Sequence, residues 1–322
     1  MPERMLTTMR PHASKRFISP KRWATFLLGT CALLAAPSVA RATLEVVATL
    51  PDLAALARAV GGDRVNVTCI GRPNEDPHYV QAKPSFIVTL NKADLLIENG
   101  LDLEIGWLPA LVDQTRNAKI RPGAPGLVVA ADGVPLLDVP SQPVTRAMGD
   151  VHPGGNPHFM LDPDRGRLVA QNIYNALVRV DPSGTEVFRA NLERLLRQIE
   201  ESAAQCDSMM APYRGTKVVT YHRSLAYFCR RFGLEEVDTV EPKPGIPPSP
   251  SHITDLIAGM RQHGAKLILM EPWHEHRTPD LVADQTGAKV VELPVQVGSA
   301  PDASDYPSLC KAVVSRVTAA LR

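Results

Sequence analysis

DPSGTEVFRANLERLLRQIEESAAQCDSMMAP, residues 181–212, decides how the rest of the chain is arranged. Asp181 is placed to cap a helix and Pro182 to occupy its first position. From there Phe188, Leu192, Leu195, Ile199, Cys206 and Met210 recur on one helical face, and Pro212 and Gly215 end it. Glu193, Arg197 and Glu200 sit three or four residues apart on a solvated face. Such a helix is on the order of 40 Å long at 1.5 Å per residue. A flexible linker would be rich in Gly and Ser, and this stretch is not. It reads as one stiff rod (181–212) joining a first lobe, 43–180, to a second, 213–322.

Both flanking regions share one grammar. Before the rod, short apolar runs predict strands at 44–49, 65–70, 94–97 and 127–131. Amphipathic stretches between them predict helices at 51–60, 84–91, 103–112 and 163–180. After the rod, strands are expected at 217–221, 237–240, 266–270 and 289–293, with helices at 224–232, 251–263, 279–286 and 305–321. Alternation of this kind predicts an α/β protein of two Rossmann-like lobes, each a parallel sheet with helices on both faces. Residues 134–157 break the rhythm. They are rich in Pro and Gly, show no period, and read as a long loop.

The first 42 residues stand apart. Arg10, Lys15, Arg16, Lys21 and Arg22 form a basic region, residues 23–36 an apolar one, and Ala40-Arg41-Ala42 a cleavage site, so a secretory signal peptide is expected. The apolar run is too short for a membrane span. Cys31 follows Leu28-Gly29-Thr30, a poor lipoprotein box, and a soluble periplasmic product is the expectation over a lipoprotein. Without the leader, 28 basic and 33 acidic residues remain. This balance carries no basic footprint for nucleic acid. Cys69, Cys206, Cys229 and Cys310 survive processing in a compartment that permits disulfides, with no C-x-x-C spacing and no pairing that the spacing decides.

Histidines carry the chemistry. His78 lies in Asn74-Glu75-Asp76-Pro77-His78-Tyr79 and His158 in Gly155-Asn156-Pro157-His158, each directly after a proline that stiffens its backbone. His222 ends the apolar run 217–221. Three imidazoles presented from three distant segments predict a transition-metal site built by the fold. His152, before Pro153, reads as a loop residue. His252 and His263 read as solvated helix ends, and His274 and His276 as an exposed pair.

These pieces, taken in order, resemble the solute-binding proteins of zinc and manganese ABC importers, the cluster A-I group. The resemblance rests on Asp76-Pro77-His78-Tyr79, Pro84-Ser85, Ala93 to Gly100, Leu103-Glu104, Trp107-Leu108, Asn156-Pro157-His158 and Leu161-Asp162-Pro163. Tyr221-His222, Glu271-Pro272 and 286–290 extend it over the whole mature chain. It implies two α/β lobes joined by one long helix, a metal in the inter-lobe cleft, a membrane permease of an ABC importer as partner, and a monomer. His78 and His158 would come from the first lobe and His222 from the second. The family often adds an Asp after the last strand, and here that region reads Glu292-Leu293-Pro294-Val295. Glu271, at the end of an expected strand, is the first candidate for the fourth ligand, with His274, His276, Glu241 or water as alternatives. The family's acid- and His-rich loop is missing or reduced to His152 and His274-Glu275-His276.

Imidazole nitrogen suits Zn²⁺ better than Ca²⁺ or Mg²⁺, and Mn²⁺ sites carry more carboxylate, so zinc is expected as the carried ion with manganese next. The rival reading is a secreted zinc-dependent hydrolase with a metal-bound water. It lacks H-E-x-x-H, and a non-enzymatic carrier is expected.

Overall fold

The computed structural model describes residues 43–145 and 148–322. The expected signal peptide, its cleavage site and Cys31 lie outside the described residues.

In the first half, β1 (Leu44–Ala48), β2 (Val65–Cys69), β3 (Leu95–Glu98) and β4 (Leu127–Val129) alternate with α1 (Pro51–Gly61), α2 (Pro84–Lys92) and α3 (Leu108–Asp113). Then come α4 (Pro163–Val180) and α5 (Thr185–Met210). The second half holds β5 (Lys217–Thr220), α6 (Ala226–Phe232), β6 (Glu235–Thr239), α7 (Pro250–His263), β7 (Leu267–Met270), α8 (Arg277–Thr286), β8 (Lys289–Glu292) and α9 (Tyr306–Leu321). The two sheets repeat one topology, β2-β1-β3-β4 and β6-β5-β7-β8. Every strand pairing is parallel.

Strand periodicity sorts the side chains into layers. Val46, Ala48, Leu95 and Ile97 point into one large core, whereas Val47 and Leu96 point the other way and pack with Leu90, Trp107 and Leu111. The second sheet does the same. Val218, Leu267 and Leu269 join the large core, and Val219, Ile268 and Met270 face Leu256, Met260 and Val282. The large core is therefore common to both sheets. Phe188, Leu192, Leu195, Ile199, Cys206 and Met210 of α5 all lie in it, so the rod is packed along its length rather than spanning solvent.

Two expectations are corrected. The helix expected at 103–112 begins only at Leu108. Gly100, Leu101 and Asp102 all have positive φ, and the buried Glu104 carboxylate accepts from Asn99 N at 2.7 Å, Gly100 N at 3.3 Å and Thr49 Oγ1 at 2.6 Å. That network folds the chain back on the end of β3 and satisfies donors that a helix start would leave open. Likewise Asp181 does not cap α5. Its carboxylate pairs with Arg64 and accepts from Ser183, Pro182–Gly184 forms a 3₁₀ turn, and α5 starts at Thr185.

Residues 130–158 connect β4 to the 3₁₀ turn before α4. The described residues of that stretch form no strand or α-helix, as expected for 134–157, and β4 ends two residues before the expected 131.

Candidate metal centre

All three singled-out histidines lie on connections that leave the carboxyl ends of β2, β4 and β5, where loops of a parallel sheet converge. His78 is held in the 3₁₀ turn Pro77–Tyr79 beyond β2. Asp76 caps that turn, accepting the His78 N–H at 2.9 Å, and Trp107 Nε1 donates to Pro77 O at 3.0 Å from below. His158 opens the 3₁₀ turn Phe159–Leu161, and its N–H donates to Asn156 Oδ1 at 3.0 Å. His222 follows β5 by two residues. Asn156 also ties the lobes together, since its Nδ2 donates to Arg223 O at 2.8 Å.

The fold brings the three rings to one point. One donor atom from each of His78, His158 and His222 lies within 4.8 Å of the other two. Ring centroids are 5.1 Å apart for His78–His158, 5.3 Å for His158–His222 and 5.6 Å for His78–His222. They line a cavity of about 210 Å³ with Asp76, Ser224, Glu241, Glu271 and His274. That volume is below the roughly 300–1,000 Å³ of ordinary small-molecule pockets and suits a single ion better than a metal chelate.

Carboxylates set the tautomers. Asp76 Oδ1 is 2.8 Å from His78 Nδ1, and Glu241 Oε2 is 2.8 Å from His222 Nδ1. Each accepts a hydrogen bond from Nδ1–H and leaves the Nε2 lone pair for the cavity. His158 Nε2 is buried with no hydrogen-bond partner. Burial holds the His158 ring well below the usual imidazole pKa, helped by repulsion from His78, His222 and His152, so it is neutral at pH 7. For His222 burial also acts to lower the pKa, but the Glu241 bond and the charges of Glu271, Glu241 and Asp76 outweigh it and leave a raised value. Asp76 is displaced the other way. Burial acts to raise it, and its bonds and charge pairing with His78 win and lower it.

Glu271 lines this cavity, fully buried directly after β7; like His152, which does not line it, Glu271 stands outside the three-His group. Its Oε1 accepts from Ser224 Oγ. Its Oε2 lies 3.3 Å from His274 Nε2, in a geometry that makes no hydrogen bond, and is otherwise unpartnered. His274 is not an exposed side chain as expected. It stacks on Tyr221 at 3.9 Å between centroids. His276 is half-exposed and bonds Glu292 at 3.1 Å. Glu241 supports His222 from behind. His252 Nε2 donates to Thr239 O at 3.0 Å.

The residue that sequence reasoning undervalued is His152. Its Nε2 lies 3.2 Å from His78 Nε2, with ring centroids 5.3 Å apart. Burial pushes its pKa down to about 4, with repulsion from His78 and His222 adding to this and a hydrogen bond to the Leu101 backbone opposing it. Its neighbour Asp150 bridges both lobes, accepting from Tyr79 OH at 2.6 Å and donating its N–H to Pro244 O at 2.9 Å. Only the His-Pro pair hinted at a fixed backbone there.

Comparison with known proteins decides the relationship. The family model for ZnuA, described as the zinc-uptake complex component A, periplasmic, matches residues 46–320. The chain belongs to the ZnuA family. ZnuA-family proteins are solute-binding components of importers, and this one is a carrier rather than a hydrolase. The chain is 23% identical over 273 residues to the iron ABC transporter substrate-binding lipoprotein MtsA of Streptococcus pyogenes serotype M1, covering 83% of this chain and 84% of MtsA. It is 23% identical over 252 residues to the manganese ABC transporter substrate-binding lipoprotein PsaA of Streptococcus anginosus, covering 77% and 78%. A crystal structure of ZnuA superposes with a TM-score of 0.72 at 24% identity, over 86% of this chain and 98% of that one. The expected two-lobed α/β fold with its long helix is thus the fold of the ZnuA family.

Proposed function

We propose that this chain, as an extracytoplasmic monomer, captures one divalent metal ion between its lobes and hands it to the membrane permease of an ABC importer, with zinc as its cargo. The three-imidazole group carries this reading. Two of its members come from the first lobe and one from the second, and neutral imidazole suits zinc at roughly 2.0–2.1 Å. Manganese and iron, the metals named for its relatives PsaA and MtsA, follow zinc here because the three clustered donors are nitrogen rather than carboxylate. Ligands divided between lobes also explain release, since a small shift of one lobe lengthens bonds to only part of the set.

His152 takes the fourth position in this reading. Its Nε2 faces His78 Nε2 at 3.2 Å, close to the ~3.3 Å edge of a tetrahedron with bonds of ~2.05 Å. Asp76 on Nδ1 of His78 leaves the Nε2 lone pair of that ring facing His152, where a cation could be shared. A second reading keeps Glu271 as the fourth ligand, favoured by its buried and unbonded Oε2 on the cavity wall.

Zinc titration against a chromophoric chelator tests both levels. One site per chain is expected. His78→Ala, His158→Ala and His222→Ala should each weaken it by more than the roughly 10–100-fold that loss of a supporting residue costs. Unchanged affinity in all three would remove the site. His152→Ala weakening binding while Glu271→Gln does not supports the first assignment, and the reverse supports the second.

A further inference from the structure

Cys206 and Cys310 meet in the large core common to the two sheets. Cys206 is on α5 and Cys310 in the first turns of α9, 104 residues later. Both are buried, and their Sγ atoms lie 3.1 Å apart. That is closer than the ~3.5–4.0 Å at which non-bonded heavy atoms rest. Cys69, by contrast, donates to Gly71 O, and Cys229 is buried on α6. We propose that Cys206 and Cys310 form a structural disulfide that clamps the joining helix to the last helix of the second lobe.

The site is chemically poised for it. The Cys310 S–H donates to Cys206 Sγ, and that bond holds the Cys206 thiol below its ordinary pKa, while the same contact raises Cys310. Thiolate is the attacking species in exchange. Closure needs a disulfide of a small thiol or of a thiol oxidoreductase as oxidant. The Cys206 thiolate attacks one of its sulfurs and releases the first thiol. Cys310 sulfur, losing its proton, then attacks the mixed disulfide at Cys206 and releases the second. Two protein thiols become one S–S bond as one reagent disulfide becomes two thiols. This rests on the extracytoplasmic reading for its oxidant alone, because such bonds persist in oxidising compartments.

The bond would close a loop holding all four strands of the second sheet, β5 to β8. Cross-links across long loops stabilise most in the chain-entropy description. They do so here at the junction through which one lobe would move against the other.

The test is to refold the reduced, metal-free chain in a glutathione redox buffer, alkylate remaining thiols, digest with trypsin without reduction and map the peptides by mass. Peptide 198–214 joined to peptide 290–311 is expected. In parallel, reducing the oxidised wild type should lower its melting midpoint by roughly 10 °C. Cys206→Ser with Cys310→Ser should melt near the reduced wild type and gain nothing from oxidation. Alkylated, unlinked Cys206 and Cys310 in the refolded protein overturn the proposal, as does either one linked to a different cysteine. Peptide masses do not depend on metal, so failure of the metal reading leaves this outcome legible.

Discussion

Glu241 Oε2 sits 2.8 Å from His222 Nδ1, with both side chains buried. Glu241 follows β6 and His222 follows β5, neighbouring strands of one parallel sheet. The pairing fixes the imidazole so that Nε2 faces the three-His cavity. Glu241 Oε2 is also held by Gly245 N at 2.9 Å, so the carboxylate itself has little freedom. Glu241→Ala leaves every proposed ligand in place but frees the ring and its tautomer. Zinc affinity should fall about 10–100-fold, read by chelator competition at constant pH. An affinity within twofold of wild type would show that the ring is oriented by something else.

Asp52 gives a pH dependence of known sign. It is buried in the first turn of α1 and accepts Val297 N–H at 2.6 Å from the segment after β8. Burial pushes its carboxyl up to about 7, against the lowering effect of that bond, from an ordinary 3.8. Between about pH 4 and 7 the folded chain therefore keeps a proton that the unfolded chain has released, and stability falls as pH rises through that window. Asp52→Asn removes this proton exchange. In urea titrations of metal-free protein between pH 4 and 8, wild type should lose on the order of 3 kcal/mol more stability than the variant. Glu98, also raised to about 7 by burial, is present in both and cancels. Parallel pH profiles would contradict the assignment.

The packed rod limits how the lobes move. Phe188 at one end of α5 and Met210 at the other lie in one core with residues of both sheets. Wide opening would expose that core, so capture and release should proceed by small shifts. Solution scattering of residues 43–322 should give a radius of gyration near ~19 Å in both metal-free and zinc-loaded forms, differing by less than ~1 Å. A change of several ångströms would mean that α5 bends or separates from one sheet.

Much of this arrangement was legible in the residues. The face of α5 is legible in the sequence, because six apolar positions at helical spacing admit one core-facing solution. His78 and His158 stood out because a preceding proline stiffens each, and His222 because it ends a strand. What could not be read is long-range partnership. Nothing local to Glu241 points to His222, nineteen residues away, and nothing in the aperiodic loop points His152 at His78. Asp181 looked like a helix cap because its spacing to Pro182 is right, and Arg64, 117 residues distant, claims it instead. Leu103 to Trp107 carried a helical pattern that the buried Glu104 overrides by bonding the end of β3. In each case a tertiary contact outweighs a local preference of a few tenths of a kcal/mol to about 1 kcal/mol.

The most direct test of the central claim is X-ray absorption at the zinc edge on the zinc-loaded chain. The account expects a low-coordinate nitrogen shell at ~2.0–2.1 Å with the multiple-scattering signature of at least three imidazoles, one of them lost in His158→Ala. A shell built mainly of oxygen, or one that His158→Ala leaves unchanged, would contradict it.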